Sequence, residues 1–181
     1  MTIVAVGIGE CQVSHDGHHE LVAYALGSCI ALAVWDPVAR VGGLLHYLLP
    51  ESADAGGSLR PYRYADTGIP LLLRKAYRLG ADRKRLLACA AGGAAVAAGG
   101  GLFDIGKRNC AALHKTLERA GVMLQAEETG GSVSRNVRLE IASGRVVVSG
   151  GGIKARELTA GPPAAIGARG RIPEAPFAGL K

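Results

Sequence analysis

The stretch GSCIALAVWDPVARVGGLLHYLLP, residues 27–50, decides how the chain folds and where its chemistry sits. SCIALAVW is an aliphatic and β-branched run, DPVAR is a turn cluster opened by Asp36 and Pro37, and VGGLLHYLL resumes the apolar run. That is the pattern of a β-hairpin. With a loop of Asp36 to Ala39, Trp35 pairs with Arg40 and, counting back, Cys29 pairs with His46. Directly opposed residues of an antiparallel pair share a face and come within reach of one another. A change of loop length by one residue would separate them onto opposite faces unless a bulge restored the register, and Gly42-Gly43 offers a bulge site.

A cysteine beside a histidine supports nucleophilic chemistry. The imidazole takes the thiol proton, and the resulting thiolate-imidazolium pair attacks an acyl carbon. Gly27 frees the backbone ahead of the cysteine, so that the amides of Ser28 and Cys29 can donate to a developing oxyanion. The competing reading is a buried structural cysteine next to a histidine on an apolar sheet, since cysteine is among the most buried residue types.

Outward from the hairpin, composition bounds the rest. The 181 residues suffice for one domain with a real core, and 49% apolar content excludes a disordered chain. Aromatic residues are only 4%, so the core is built from Val, Leu, Ile and Ala, and 27 glycines favour a β-rich or mixed fold over a helix bundle. Net charge is +6, with Arg74, Lys75, Arg78, Arg83, Lys84 and Arg85 opposed locally by Asp82 alone. Such a cluster is a solvated helix face or an attractor for acidic partners, and apart from Tyr77 it lacks the aromatic interleaving of single-strand nucleic-acid binding. The cysteines at 11, 29, 89 and 110 and the histidines at 15, 18, 19, 46 and 114 form no zinc spacing. The N-terminus has no signal-peptide pattern and the apolar run 21–35 is too short to span a bilayer, which points to a soluble cytoplasmic protein.

In order, residues 2–8 read as a strand, 11–20 as a polar loop, and 21–26 as a second extended run. After the hairpin, 51–60 is a Gly-, Ser- and Asp-rich connection or flap. A helix capped by Asp66 or Thr67, with Pro70 in its first turn, carries Ile69, Leu72, Leu73, Ala76 and Leu79 on one face and stops at Gly80. Residues 86–96 read as a strand; 101–107, GLFDIGK, matches a phosphate-binding loop except that Arg108 stands where Ser or Thr is needed. A second helix covers 107–120 with Gly121 as its stop, 122–128 is a strand, and 136–142 and 145–149 form a hairpin about Ser143-Gly144. Strands at both ends with helices between them define an α+β fold with antiparallel pairing. Residues 1–160 make one domain, and 161–181, with four of the eight prolines, a flexible tail.

Several motifs together resemble one family. LGSC at 26–29, DPVAR at 36–40, GLLHYLLP at 43–50, YADT at 64–67, AGGA at 91–94, IGKRN at 105–109 and TGGSVSR at 129–135 fall in the order and spacing of the CheD chemoreceptor glutamine deamidases. The resemblance covers roughly residues 3–150. It implies layered, mostly antiparallel sheets with helices packed on one side, related to cysteine-hydrolase deamidase toxins. It implies Cys29 as nucleophile, His46 as base and no cofactor or metal. The implied substrates are methyl-accepting chemoreceptors and the implied partner the CheC phosphatase. Two positions depart from the family pattern: Ala23 replaces a catalytic threonine and Ala25 a glycine. Tyr24 or a backbone carbonyl then has to orient His46, and a weakly active adaptor that binds receptors or CheC is the alternative reading.

Overall fold

A computed structural model describes residues 1–52, 59–95 and 104–158. Its central element is the expected hairpin, with β4 at Ile30–Asp36 and β5 at Val41–Tyr47, and every residue of both strands is buried. That accounts for the unbroken apolar runs, because a strand covered on both faces has no polar side to alternate with.

The hairpin lies within a five-stranded sheet of order β2-β5-β4-β6-β7, with β2 at Glu10–Ser14, β6 at Leu87–Gly92 and β7 at Leu124–Thr129. A second sheet of order β1-β3-β8-β9-β10 comprises Thr2–Ala5, His19–Leu26, Arg135–Glu140, Val146–Gly150 and Ile153–Glu157. Pairing is antiparallel except for β1 with β3 and β6 with β7. The helices α1 (Ala65–Arg78) and α2 (Ile105–Ala120) cover the outer face of the hairpin sheet. Ile30, Leu32, Val34, Leu45 and Tyr47 pack with Ile69, Leu72, Leu113 and Leu117 in that helix-side layer. Cys29, Ala31, Ala33, Trp35 and Leu44 face the other way, against Leu21, Ala23, Val137, Leu139 and Ile141 of the second sheet. The fold is α+β, mostly antiparallel, with its helices on one side, as expected.

The hairpin register differs from the count made on sequence. Asp36 pairs with Val41, so the loop is Pro37 to Arg40, and His46 lies opposite Ala31 rather than Cys29. The cause is Asp36, which is fully buried and extends the strand by one residue. Its carboxylate accepts the N–H groups of Val38, Ala39 and Asp82 and a two-pronged contact from Arg85. Arg40 closes the turn at φ 52. The pairing moves by two residues, which preserves the faces.

No bulge occurs at Gly42-Gly43, which pair regularly with Trp35 and Val34. A Cβ would stand 2.5 Å from Ile141 Cδ1 at position 42 and 2.7 Å from Leu72 Cδ1 at position 43, so a larger residue at either would have to displace the end of that side chain. The two covering layers press on the hairpin there from opposite sides.

Other expectations shift at their edges. The loop expected at 11–20 contains β2 and the start of β3, and β10 was not anticipated. α1 begins at Ala65 after Tyr64 without a side-chain cap; Asp66 accepts the Ser52 N–H, and Thr67 donates its hydroxyl to the Pro61 carbonyl. Asp104 caps α2 and Gly121 ends it at φ 63. Gly106 of the phosphate-loop match lies inside α2, where a Cβ would meet the Gly93 carbonyl oxygen at 2.4 Å. Helix-to-loop packing therefore accounts for this glycine. Residues 53–58 of the expected flap, 101–103 of GLFDIGK and the expected tail lie outside the described residues.

Asp36 yields a stability prediction. Burial favours its neutral form, but the hydrogen bonds from Arg85, Asp82, Ala39 and Val38 outweigh this and hold the carboxyl below its usual range. Asp36→Ala leaves amides unpaired and should cost about 3 kcal/mol in denaturant unfolding. A depressed folded-state pKa adds stability above the unfolded value and loses it as pH falls through the folded one. The wild-type advantage over Asp36→Ala should therefore be full at neutral pH and shrink below about pH 4.

Candidate active site

Cys29 and His46 are both buried, 7% and 2% exposed, on the face of the hairpin sheet that looks into the inter-sheet layer. Their relation is diagonal: Ala31 lies opposite His46, and Cys29 stands two residues further along the same face. Diagonal neighbours in a sheet remain within reach of longer side chains. No hydrogen bond joins the two in this state.

The chain segment that crosses from one sheet to the other fixes the histidine. Val6 continues the β1–β3 pairing through its N–H to the Val22 carbonyl, and its own carbonyl lies 3.3 Å from His46 Nδ1. Three residues on, the Gly9 N–H donates to the His46 carbonyl at 2.7 Å. A carbonyl only accepts, so Nδ1 carries the proton and Nε2 the free lone pair. Nε2 is buried and has no partner among the described residues. The imidazole is thus held in the tautomer of a base.

Glu10, next along the crossing segment, is the residue of β2 opposite His46, and its carboxylate accepts the Gly7 N–H at 2.9 Å. Burial holds the His46 imidazole below its ordinary range, while the Val6 carbonyl and the Glu10 charge act the other way. Burial likewise pushes the Cys29 thiol up, opposed by its own backbone N–H. Both shifts favour the uncharged form of their group. Among the described residues, no other residue takes up the N–H of Ser28 or Cys29.

The two departures at 23 and 25 have structural counterparts. Ala23 is fully buried in the inter-sheet layer, and Tyr24 is exposed and does not reach the imidazole. The backbone carbonyl that orients His46 belongs to Val6. Ala25 takes φ 54, where the pairing of β3 with β8 slips between Ala23 and Leu26, and its N–H donates to Asn136 Oδ1 at 2.8 Å. The left-handed residue ahead of the cysteine is therefore Ala25 and not Gly27.

The Cys29 loop is clasped on its far side by the segment Gly92 to Ala94. The Gly93 N–H donates to the Cys29 carbonyl and the Ala94 N–H to the Gly27 carbonyl, both at 2.8 Å. Gly92 has φ 121, and a Cβ there would overlap the Cys29 carbonyl oxygen at 2.1 Å. AGGA is thus a site of close backbone approach. Sequence reasoning missed Val6 and Glu10; for Glu10 the signal was an isolated acid within otherwise extended sequence.

The remaining candidates lie elsewhere. All four cysteines are free. Among the described residues no cluster of His, Cys, Asp and Glu is arranged to hold a metal, and no helix is long and apolar enough to cross a membrane. His19 pairs with Ser14 and Asp16, and His114 with Glu127. Of the basic cluster, Arg85 serves Asp36 and Asp82, and Lys75 sits 4.8 Å over the Tyr62 ring.

The fold and site define a two-sheet α+β protein with a thiol and a tautomer-fixed imidazole on one inter-sheet face. The family model for CheD chemotactic sensory transduction matches residues 48–150. The chain is 49% identical over 160 residues to the probable chemoreceptor glutamine deamidase CheD of Solibacter usitatus, covering 87% of this chain and 94% of that protein. It is 48% identical over 158 residues to a protein of the same description from Anaeromyxobacter dehalogenans, with 83% and 96% covered. A Pyrococcus horikoshii relative, also described as a probable chemoreceptor glutamine deamidase, is 40% identical over 154 residues, with 81% and 91% covered. The chain belongs to the CheD family.

Two measurements probe this geometry. Glu10→Gln should lower the titration of the His46 imidazole further in an NMR pH series, since it removes a charge that favours imidazolium. Ala25→Gly should raise thermal stability by about 1 kcal/mol, because glycine relieves the left-handed strain of alanine.

Proposed function

We propose that the protein is a chemoreceptor glutamine deamidase that hydrolyses the side-chain amide of glutamines in methyl-accepting chemotaxis proteins. Family membership supports the reaction and the substrate. The observation that carries the mechanism is the His46 ring, its Nδ1 fixed on the Val6 carbonyl and its Nε2 unpaired on the face that holds Cys29.

In this reading Cys29 gives its proton to Nε2 as its sulfur attacks the carboxamide carbon. Concerted transfer suits a pair that is neutral at rest, and such hydrogen bonds commonly tighten only when substrate binds. The carbonyl oxygen becomes an oxyanion held by the N–H groups of Cys29 and Ser28. His46 returns the proton to the nitrogen, ammonia leaves, and a thioester remains. Water, deprotonated by the same imidazole, then attacks the thioester and yields glutamate and the free thiol. No step calls for a cofactor.

Residues 1–160 act as one catalytic domain in this proposal, since the two sheets share one inter-sheet core. A cytoplasmic location and the CheC phosphatase as a partner rest on family membership alone. The buried Ala23, without a hydroxyl, favours a second reading as a receptor-binding adaptor of low turnover.

Mass spectrometry of a receptor cytoplasmic fragment decides between the two. Wild type should convert glutamine to glutamate, Cys29→Ala should not, and His46→Ala should be slower by about 10²- to 10⁴-fold. A wild type that binds the fragment without converting it, and gains conversion on Ala23→Thr, would establish the adaptor.

A further inference from the structure

We infer that Asn109 is a positioning residue of this site: its side-chain amide sets the direction of the Cys29 N–H and the spacing between the segments that carry Cys29 and His46. The inference rests on the proposed roles of Cys29 and its amide.

The hairpin ladder ends at Ile30 opposite Tyr47. One step further the next rung would join Cys29 to Leu48, but the strands part there. Into the gap projects Asn109 of α2, fully buried, whose Nδ2 donates to the Ser28 carbonyl at 2.8 Å and to the Leu48 carbonyl at 2.9 Å. One bond holds the residue before the nucleophile, the other the second residue after the base. Two carbonyl oxygens turned toward one point repel unless a group with two N–H bonds lies between them. Among short side chains only the carboxamide of asparagine has both. The Asn109 backbone is itself anchored, its carbonyl accepting the Tyr47 hydroxyl at 2.9 Å.

A trans peptide places its C=O and N–H on opposite sides. Holding the Ser28 carbonyl toward α2 therefore turns the Cys29 N–H away from α2, toward the Cys29 thiol and the inter-sheet layer. That is where the oxyanion of an attacked amide would form. Asn109 does not approach the substrate; it acts through the peptide that does. Lys107, which ends the phosphate-loop match, and Arg108 after it are both exposed, whereas Asn109 is buried and reaches the site.

The test compares wild type with Asn109→Ser, Asn109→Asp, Tyr47→Phe and Cys29→Ala. Tyr47→Phe removes the neighbouring hydrogen bond and leaves Nδ2 in place, so it reports a merely structural role. Both Asn109 variants should lose about 100-fold in kcat on the receptor fragment with little change in KM, because a small misaim of reacting groups has that effect. Tyr47→Phe should melt earlier and keep kcat. The Cys29 amide resonance in a ¹⁵N spectrum should move in Asn109→Ser and hold in Tyr47→Phe. A folded Asn109→Ser with wild-type kcat, or with the Cys29 resonance unmoved, overturns the inference. So does failure of both Asn109 variants to fold while Tyr47→Phe folds, which would make the side chain a folding element. Conversion by Cys29→Ala would instead sink the nucleophile assignment, and the amide resonance would still report on Asn109.

Discussion

Coverage of the β4–β5 hairpin on both faces is the constraint on which the rest depends. Two layers press on it, helices on one side and the second sheet on the other, so each side chain is assigned to one layer by strand parity alone. A buried polar group on such an element needs an internal partner. Asp36 and His46 are the buried polar side chains of the hairpin, and both are met by chain brought from elsewhere. Arg85 and Asp82 come to Asp36 from the connection after α1, and Val6 comes to His46 from the sheet crossing.

The two cases end differently. Asp36 is satisfied on both oxygens and acts as a structural knot, closing the turn and fixing the register. His46 is satisfied on one nitrogen only. A buried unpaired acceptor costs free energy, and this one lies on the face that also holds Cys29, which is why it supports the proposed role of His46 as a base. The same low-polarity surroundings shift both the thiol and the imidazole toward their uncharged forms.

Backbone geometry prepares the cysteine in a comparable way. Ala25 is left-handed, Gly92 and Gly93 lie against the Cys29 carbonyl, and Asn109 holds the carbonyl before it. With Asn136 accepting the Ala25 N–H, the segment before β4 is therefore held at three points by parts of the chain distant in sequence. A loop so constrained holds its amides in a fixed direction, which suits the oxyanion role proposed for them.

The residue order by itself determined the hairpin, the sharing of one face by Cys29 and His46, the two helices and the mostly antiparallel α+β class, because these follow from local periodicity and from turn residues in sequence. Parity survived an error of two residues in the register, since a strand repeats every second residue. Tertiary structure alone decided the rest. Arg85 is 49 positions from Asp36, Val6 is 40 from His46, and Asn109 is 81 from Ser28, and no local pattern encodes such meetings. The edge strand β10 escaped notice because IKARE pairs on one side only and shows little apolar alternation. The direction in which the Cys29 and His46 groups are shifted likewise could not be read from residue types, because burial is its main cause, and burial belongs to the packed layers.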